Sequence, residues 1–64
     1  MFNRNQLEKI RAALRDTDMG EHNAHAAALD ELDPHQFTRL GMAAAYFRAA
    51  QTILKNALEE DDKL

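Results

Sequence analysis

The sequence contains no cysteine and no serine, and it has only two glycines and one proline. Without cysteine, the chain can form neither a disulfide nor a thiolate metal site, which fits a reducing compartment. There is no glycine-rich phosphate loop and no serine or cysteine nucleophile, so we expect a non-enzymatic protein without a cofactor. No apolar run approaches the roughly 18 residues of a membrane span. We therefore expect a soluble, cytoplasmic protein that does not bind a membrane.

The chain is short, acidic and rich in alanine. Its 64 residues, with a formal charge of −3, make one domain at most. Glycine and proline are scarce and no strand-like alternation is visible, so the class is all-α. A core in a chain of this length seldom gives more than a few kcal/mol. Self-association or a partner protein is then the remaining route to stability.

The longest periodic segment begins with strong helix-start signals. Asp33 is a good N-cap, and Pro34 falls at the first helical position, where its missing N–H costs nothing. Gln36 stands three residues after Asp33 and completes a capping box. The pattern predicts a helix over residues 34–58.

The apolar residues of this segment occupy four neighbouring rows. At about 100° per residue, the rows cover an arc of roughly 160°. A two-stranded seam needs only two rows, so the width predicts at least two neighbouring helices. The all-alanine row favours one close neighbour. The rows are Phe37, Ala44, Gln51 and Leu58; Leu40, Phe47 and Leu54; Ala43, Ala50 and Ala57; and Tyr46 with Ile53.

Two shorter helices are predicted before this segment. Asn3, with Gln6 three residues later, predicts a capped first helix over 4–16. Residues 16–20 (Asp-Thr-Asp-Met-Gly) interrupt the pattern as a loop or a kink, and a second helix follows over about 19–32. Four acidic residues after Leu58 oppose the helix dipole, so we expect an acidic, disordered tail over 59–64.

The architecture that follows is one domain over residues 1–58. It is a small helical hairpin or three-helix unit that dimerises into a helical bundle. The residues expected in the core and in self-association are Leu7, Ile10, Leu14, Leu29, Leu32, Phe37, Leu40, Ala43, Phe47, Ala50, Ile53, Leu54 and Leu58.

Two histidines and an acid form a candidate metal site. Glu21, His22 and His25 share one side of a helix. A zinc site usually needs three or four protein ligands, and only His35 and nearby acids are left to complete it. We favour the alternative, in which both histidines lie partly buried at a helix contact, and we predict no bound metal.

The first helix is basic and the next segment is acidic. Arg4, Lys9, Arg11 and Arg15 form a candidate partner or nucleic-acid face, whereas residues 16–33 hold six acids and no lysine or arginine. Affinity for nucleic acid comes largely from neutralised phosphates, so the net acidity argues against this use. A solvated face that balances the acidic segment is favoured.

The bend before the long helix resembles that of a known family. Leu29-Asp30-Glu31-Leu32-Asp33, in a chain of this length, is similar to the bend of the Rop family of plasmid RNA-binding proteins. The resemblance implies a hairpin that dimerises into a four-helix bundle. The interruption at residues 16–20 departs from that family, whose helix is continuous there, and no basic, aromatic RNA-reading face is evident.

These observations favour binding over catalysis. We expect a homodimer that acts as a small regulator, adaptor or inhibitor on the surface of a partner protein, a type common among phage-encoded proteins. The alternative is a small dimeric, Rop-like nucleic-acid-binding regulator that uses the basic first helix.

Overall fold

The protein is an antiparallel hairpin of two long helices. The computed structural model describes residues 1–63, in which α1 spans Arg4–Ala28 and α2 spans Pro34–Asp62. The two helices pack against each other along their length, and residues 1–63 contain no β-strand. The all-α prediction is therefore confirmed. The molecule measures 47 × 16 × 11 Å, so it is a slab one helix thick.

Both helices begin where the sequence predicted. The Asn3 side chain accepts from the Gln6 N–H at 2.8 Å, and Gln6 Oε1 accepts from the Asn3 N–H at 2.9 Å. Asp33 and Gln36 make the same reciprocal pair at 2.9 and 3.1 Å. Each pair satisfies two backbone donors that a helix start leaves without partners. Local chemistry alone therefore sets both helix starts.

The loop predicted as one form of the break at residues 16–20 is absent, because α1 runs through these residues as one continuous helix. The Thr17 hydroxyl donates to the Leu14 carbonyl at 2.9 Å, a bond made inside the helix. Asp16 and Asp18 remain exposed to solvent. The prediction of separate helices over 4–16 and 19–32 is thus replaced by one helix.

The far ends of both helices also differ from the prediction. α1 ends at Ala28 rather than near residue 32, where the Leu29 N–H donates to the Ala26 carbonyl and the Asp30 N–H donates to the Ala27 carbonyl, each at 3.2 Å. α2 continues to Asp62, four residues beyond the predicted end. Asp61 accepts a hydrogen bond from the Phe2 N–H at 2.6 Å. The segment just before α1 thus supplies a donor to a carboxylate that the dipole of α2 disfavours at its C-terminal end.

The predicted tail over 59–64 is therefore helical through Asp62. Residue Leu64 of that tail lies outside the described residues.

The helices meet along a seam with a regular spacing of three and four residues. Ala24 and Ala44, at 8% and 4% exposed, are the only buried residues among those described, and the other seam residues are half-buried. A single neighbour thus covers the first two rows of α2 except Phe37, and it leaves Tyr46 and Ile53 of the fourth row exposed. The seam consists of Leu7, Ile10, Leu14, Thr17, Glu21, Ala24 and Ala28 of α1, with Gly20 beside them against Phe47, and Leu40, Ala44, Phe47, Gln51, Leu54, Leu58 and Asp61 of α2.

Neither α1 nor the described part of α2 has a stretch that is both long and apolar enough to cross a membrane.

Candidate functional site

An apolar stripe runs along the side of α2 that faces away from α1. Met42, Tyr46 and Ile53 are 52%, 70% and 68% exposed, and Ala49 between them is also exposed. These four residues stand at i, i+4, i+7 and i+11, the spacing that puts side chains on one face of a helix. We call them the outer stripe. The stripe offers a preformed apolar surface on a helix that α1 already holds in place.

A second apolar surface lies between the helices beside the bend. It is a groove of about 460 Å³, which we call the closed-end groove. Small residues of both helices leave it open, while Leu29 and Phe37 stand at its edge, 88% and 58% exposed. Its lining consists of His22, Ala24, His25, Ala26, Ala28, Leu29, Phe37, Leu40 and Gly41.

The two surfaces lie on different sides of the hairpin. Phe37 continues the row of Ala44, Gln51 and Leu58, whereas Tyr46 lies well over 90° away around α2 at 100° per residue. We call the side that carries the row of Phe37 and the closed-end groove the groove face. A partner on the groove face would therefore leave the outer stripe free.

The middle of the seam is polar. The Glu21 carboxylate lies 3.7 Å from the Arg48 Nε across the hairpin. Nearby along α2, the Gln51 side-chain nitrogen is buried and has no hydrogen-bond partner among the described residues. The groove face thus has apolar ends and a polar centre, and one donor there lacks a partner.

The candidate metal residues do not converge on one point. His22 and His25 are exposed beside the closed-end groove, whereas Glu21 points to Arg48. Within residues 1–63, no three histidine or acidic side chains are placed to hold an ion together. The sequence predicted that both histidines lie partly buried at a helix contact. In the hairpin, His22 and His25 are instead both exposed.

The basic residues of α1 are all exposed. Arg4, Arg11 and Arg15 lie within about 40° of one another around the helix, but Lys9 projects from another side. Arg4 Nε lies 3.5 Å from a Glu8 carboxylate oxygen, so part of its charge is balanced locally. Three arginines in a line are a small patch, and no aromatic side chain of α1 stands between them.

Sequence reasoning placed three exposed residues in the core. Leu29 and Ile53 are largely exposed, and Phe37 is more than half exposed. Ten other predicted core residues are half-buried, and the predicted core contains neither of the two buried residues, Ala24 and Ala44. The outer stripe was also missed, although the spacing of Met42, Tyr46, Ala49 and Ile53 is visible in the sequence. That self-association covers these exposed residues remains a prediction.

Comparisons with protein-family models, with curated proteins and with solved structures find no significant match to this chain.

Proposed function

We propose that this protein is a non-enzymatic interaction module that presents the outer stripe of α2 to an apolar groove on a partner protein. It would act as a small regulator, adaptor or inhibitor by occupying that groove. The observation that carries this proposal is the exposure of Met42, Tyr46 and Ile53 on one side of a capped helix. Burying such side chains against a partner is worth about 1.5–3 kcal/mol each.

The arrangement matches a recurring mode of recognition. An amphipathic helix binds a hydrophobic groove through anchors at i, i+3 or i+4, and i+7. Here the anchors are Tyr46, Ala49 and Ile53, and Met42 extends the series by one turn. Methionine adapts its shape to irregular surfaces, and tyrosine adds a hydroxyl for a rim hydrogen bond.

The hairpin also supports the proposal energetically. A helix that forms only on binding must lose conformational entropy at that moment. In this chain α1 packs along α2, and the Asp33 capping box fixes its start, so the stripe is ordered before the partner arrives. A preorganised stripe of this kind binds with a smaller entropic cost.

The test is affinity capture from a lysate of the producing cell, followed by mass spectrometry. The stripe variant combines Tyr46→Asp and Ile53→Asp. The matched control combines Ala45→Asp and Thr52→Asp, two exposed positions that lie about 80–120° around α2 from the substituted stripe residues. Wild type and control should retain the same partner, and the stripe variant should lose it. Circular dichroism should show equal helicity for all three proteins. Equal capture by all three would contradict the proposal.

A further inference from the structure

The hairpin exposes more surface than a folded monomer of its mass. A typical 7.3 kDa monomer exposes roughly 4,200 Å² by the scaling of area with mass, whereas this chain exposes 5273 Å². The excess, about 1,000 Å², is similar to the roughly 800 Å² that each partner buries in a standard interface. The missing burial is therefore the size of one protein interface.

The shape leads to the same conclusion. A compact chain of this length has a radius of gyration of about 11 Å, and the hairpin has 14.7 Å. Stable domains enclose a core between at least two layers of secondary structure. This molecule has one layer, 11 Å thick. A second layer of similar length and width would enclose the half-buried seam.

We propose that this second layer is a second copy of the chain, packed on the groove face with its bend at the opposite end. A two-fold axis perpendicular to the helices would then relate the copies, and each would cover the same surface of the other. The groove face carries the exposed Phe37 and the half-buried Leu7, Leu14, Ala28 and Leu58, together with the closed-end groove.

The distribution of charge selects the opposite-end arrangement. Residues 16–33, which reach the bend, hold six acids and no lysine or arginine, whereas residues 4–15 hold four basic residues and one acid. Two copies with their bends together would place both acidic segments side by side. Reversing one copy instead places each acidic segment beside the basic segment of the other. Charge complementarity of this kind fixes orientation.

The same arrangement supplies an occupant for the closed-end groove. The open end of a reversed copy presents Leu7 and Leu58 on the groove face. These two side chains would enter the groove beside Phe37. Arg4 and Arg11 of the same copy would lie near the acids around the bend. The groove is thus incomplete without the second copy.

The first test compares two variants that differ only in which side of α2 they change. Phe37 and Tyr46 are both exposed aromatic residues, so replacing either leaves the seam of the hairpin intact. In sedimentation, wild type should have twice the monomer mass at micromolar concentration. Phe37→Glu should weaken the dimer by about 30-fold or more, as loss of an interface hot spot does, and Tyr46→Glu should leave it unchanged.

The second test measures orientation without disturbing the interface. Because the chain has no cysteine, Glu31→Cys gives a single site for a spin label at the exposed bend. Opposite bends predict a label-to-label distance near the 47 Å length of the molecule. Adjacent bends predict less than about 25 Å, since packed helices lie about 10 Å apart.

Each remaining outcome would overturn the proposal at a defined point. A monomeric wild type excludes the second copy, and a short label distance excludes the opposite-end arrangement. Dissociation by Tyr46→Glu and not by Phe37→Glu would place the interface on the other side. This inference is independent of the proposed function, because capture through the outer stripe is read out separately from the dimer mass.

Discussion

Gly20 and Phe47 contact each other across the hairpin so closely that position 20 has no room for a side chain. A Cβ on Gly20 would lie 2.6 Å from the Phe47 ring, while a Cβ on Gly41 would meet nothing within 4 Å. Both glycines lie inside helices, so both give up about 1 kcal/mol of helix propensity relative to alanine. Only at Gly20 does packing explain that loss.

The two glycines therefore make a matched pair. Gly41→Ala should stabilise the hairpin by about 1 kcal/mol, whereas Gly20→Ala should destabilise it by up to about 2 kcal/mol, because overpacking outweighs the gain in propensity. Urea unfolding of both variants measures the difference. Equal stabilisation by both would show that the Phe47 ring moves aside freely. A loss at Gly41 that grows with protein concentration would indicate close approach of a second copy.

The buried side-chain amide of Gln51 predicts that an apolar substitution there will increase the stability of the protein. The Gln51 side-chain nitrogen has no hydrogen-bond partner within residues 1–63, and an unsatisfied buried donor costs about 1–3 kcal/mol. Gln51→Leu should therefore raise the free energy of unfolding by about 1–2 kcal/mol. The control is Thr52→Leu, one residue along on an exposed side, which should change it by less than about 0.5 kcal/mol. A clear loss in the Gln51 variant would show that the amide binds a polar group when the protein is in solution.

Asp61 ties the end of α2 to the start of α1. Its carboxylate accepts from the Phe2 N–H and lies 3.7 Å from the Met1 amino nitrogen, and its side chain is 11% exposed. Asp61→Asn should cost about 1 kcal/mol and speed hydrogen exchange in the last turn of α2. Asp62→Asn, at the exposed neighbouring position, should do neither. Identical exchange in both variants would contradict a specific role for Asp61.

The basic side of α1 yields a negative prediction. Three aligned arginines on a chain of charge −3 give few phosphate contacts, so we expect no micromolar affinity for RNA or DNA at physiological salt. Fluorescence anisotropy with labelled RNA and DNA checks this. A salt-sensitive signal that disappears when Arg4, Arg11 and Arg15 are changed to glutamate would instead support the nucleic-acid-binding alternative.

Local features of this fold could be predicted from sequence, and contacts between the helices could not. Each capping box joins two residues that are three apart in sequence, so both boxes can be predicted from the sequence without knowing how the helices pack. α1 continues through Gly20, where the ring of Phe47, which is distant in sequence, leaves no room for a side chain. Residues 16–20 place a glycine beside poor helix formers, so their local sequence alone predicts a break.

The candidate surfaces were predicted only in part for a related reason. The wide apolar arc of α2 predicts that its rows pack against other helices, but it does not predict which of the rows α1 covers. In the structure α1 takes the rows of Ala44 and Phe47, so Tyr46 and Ile53 remain on the surface. Their role becomes visible only when the position of α1 is known.

The antiparallel seam also has a consequence for how the chain folds. Contacts next to the bend join residues close in sequence, whereas the bond from Phe2 to Asp61 spans 59 residues. The entropy lost on closing a loop rises slowly with its length, and each layer that forms shortens the loop left for the next. The hairpin can therefore close like a zipper from the bend outward. Substitutions beside the bend should then change the folding rate, while those at the open end should change the unfolding rate.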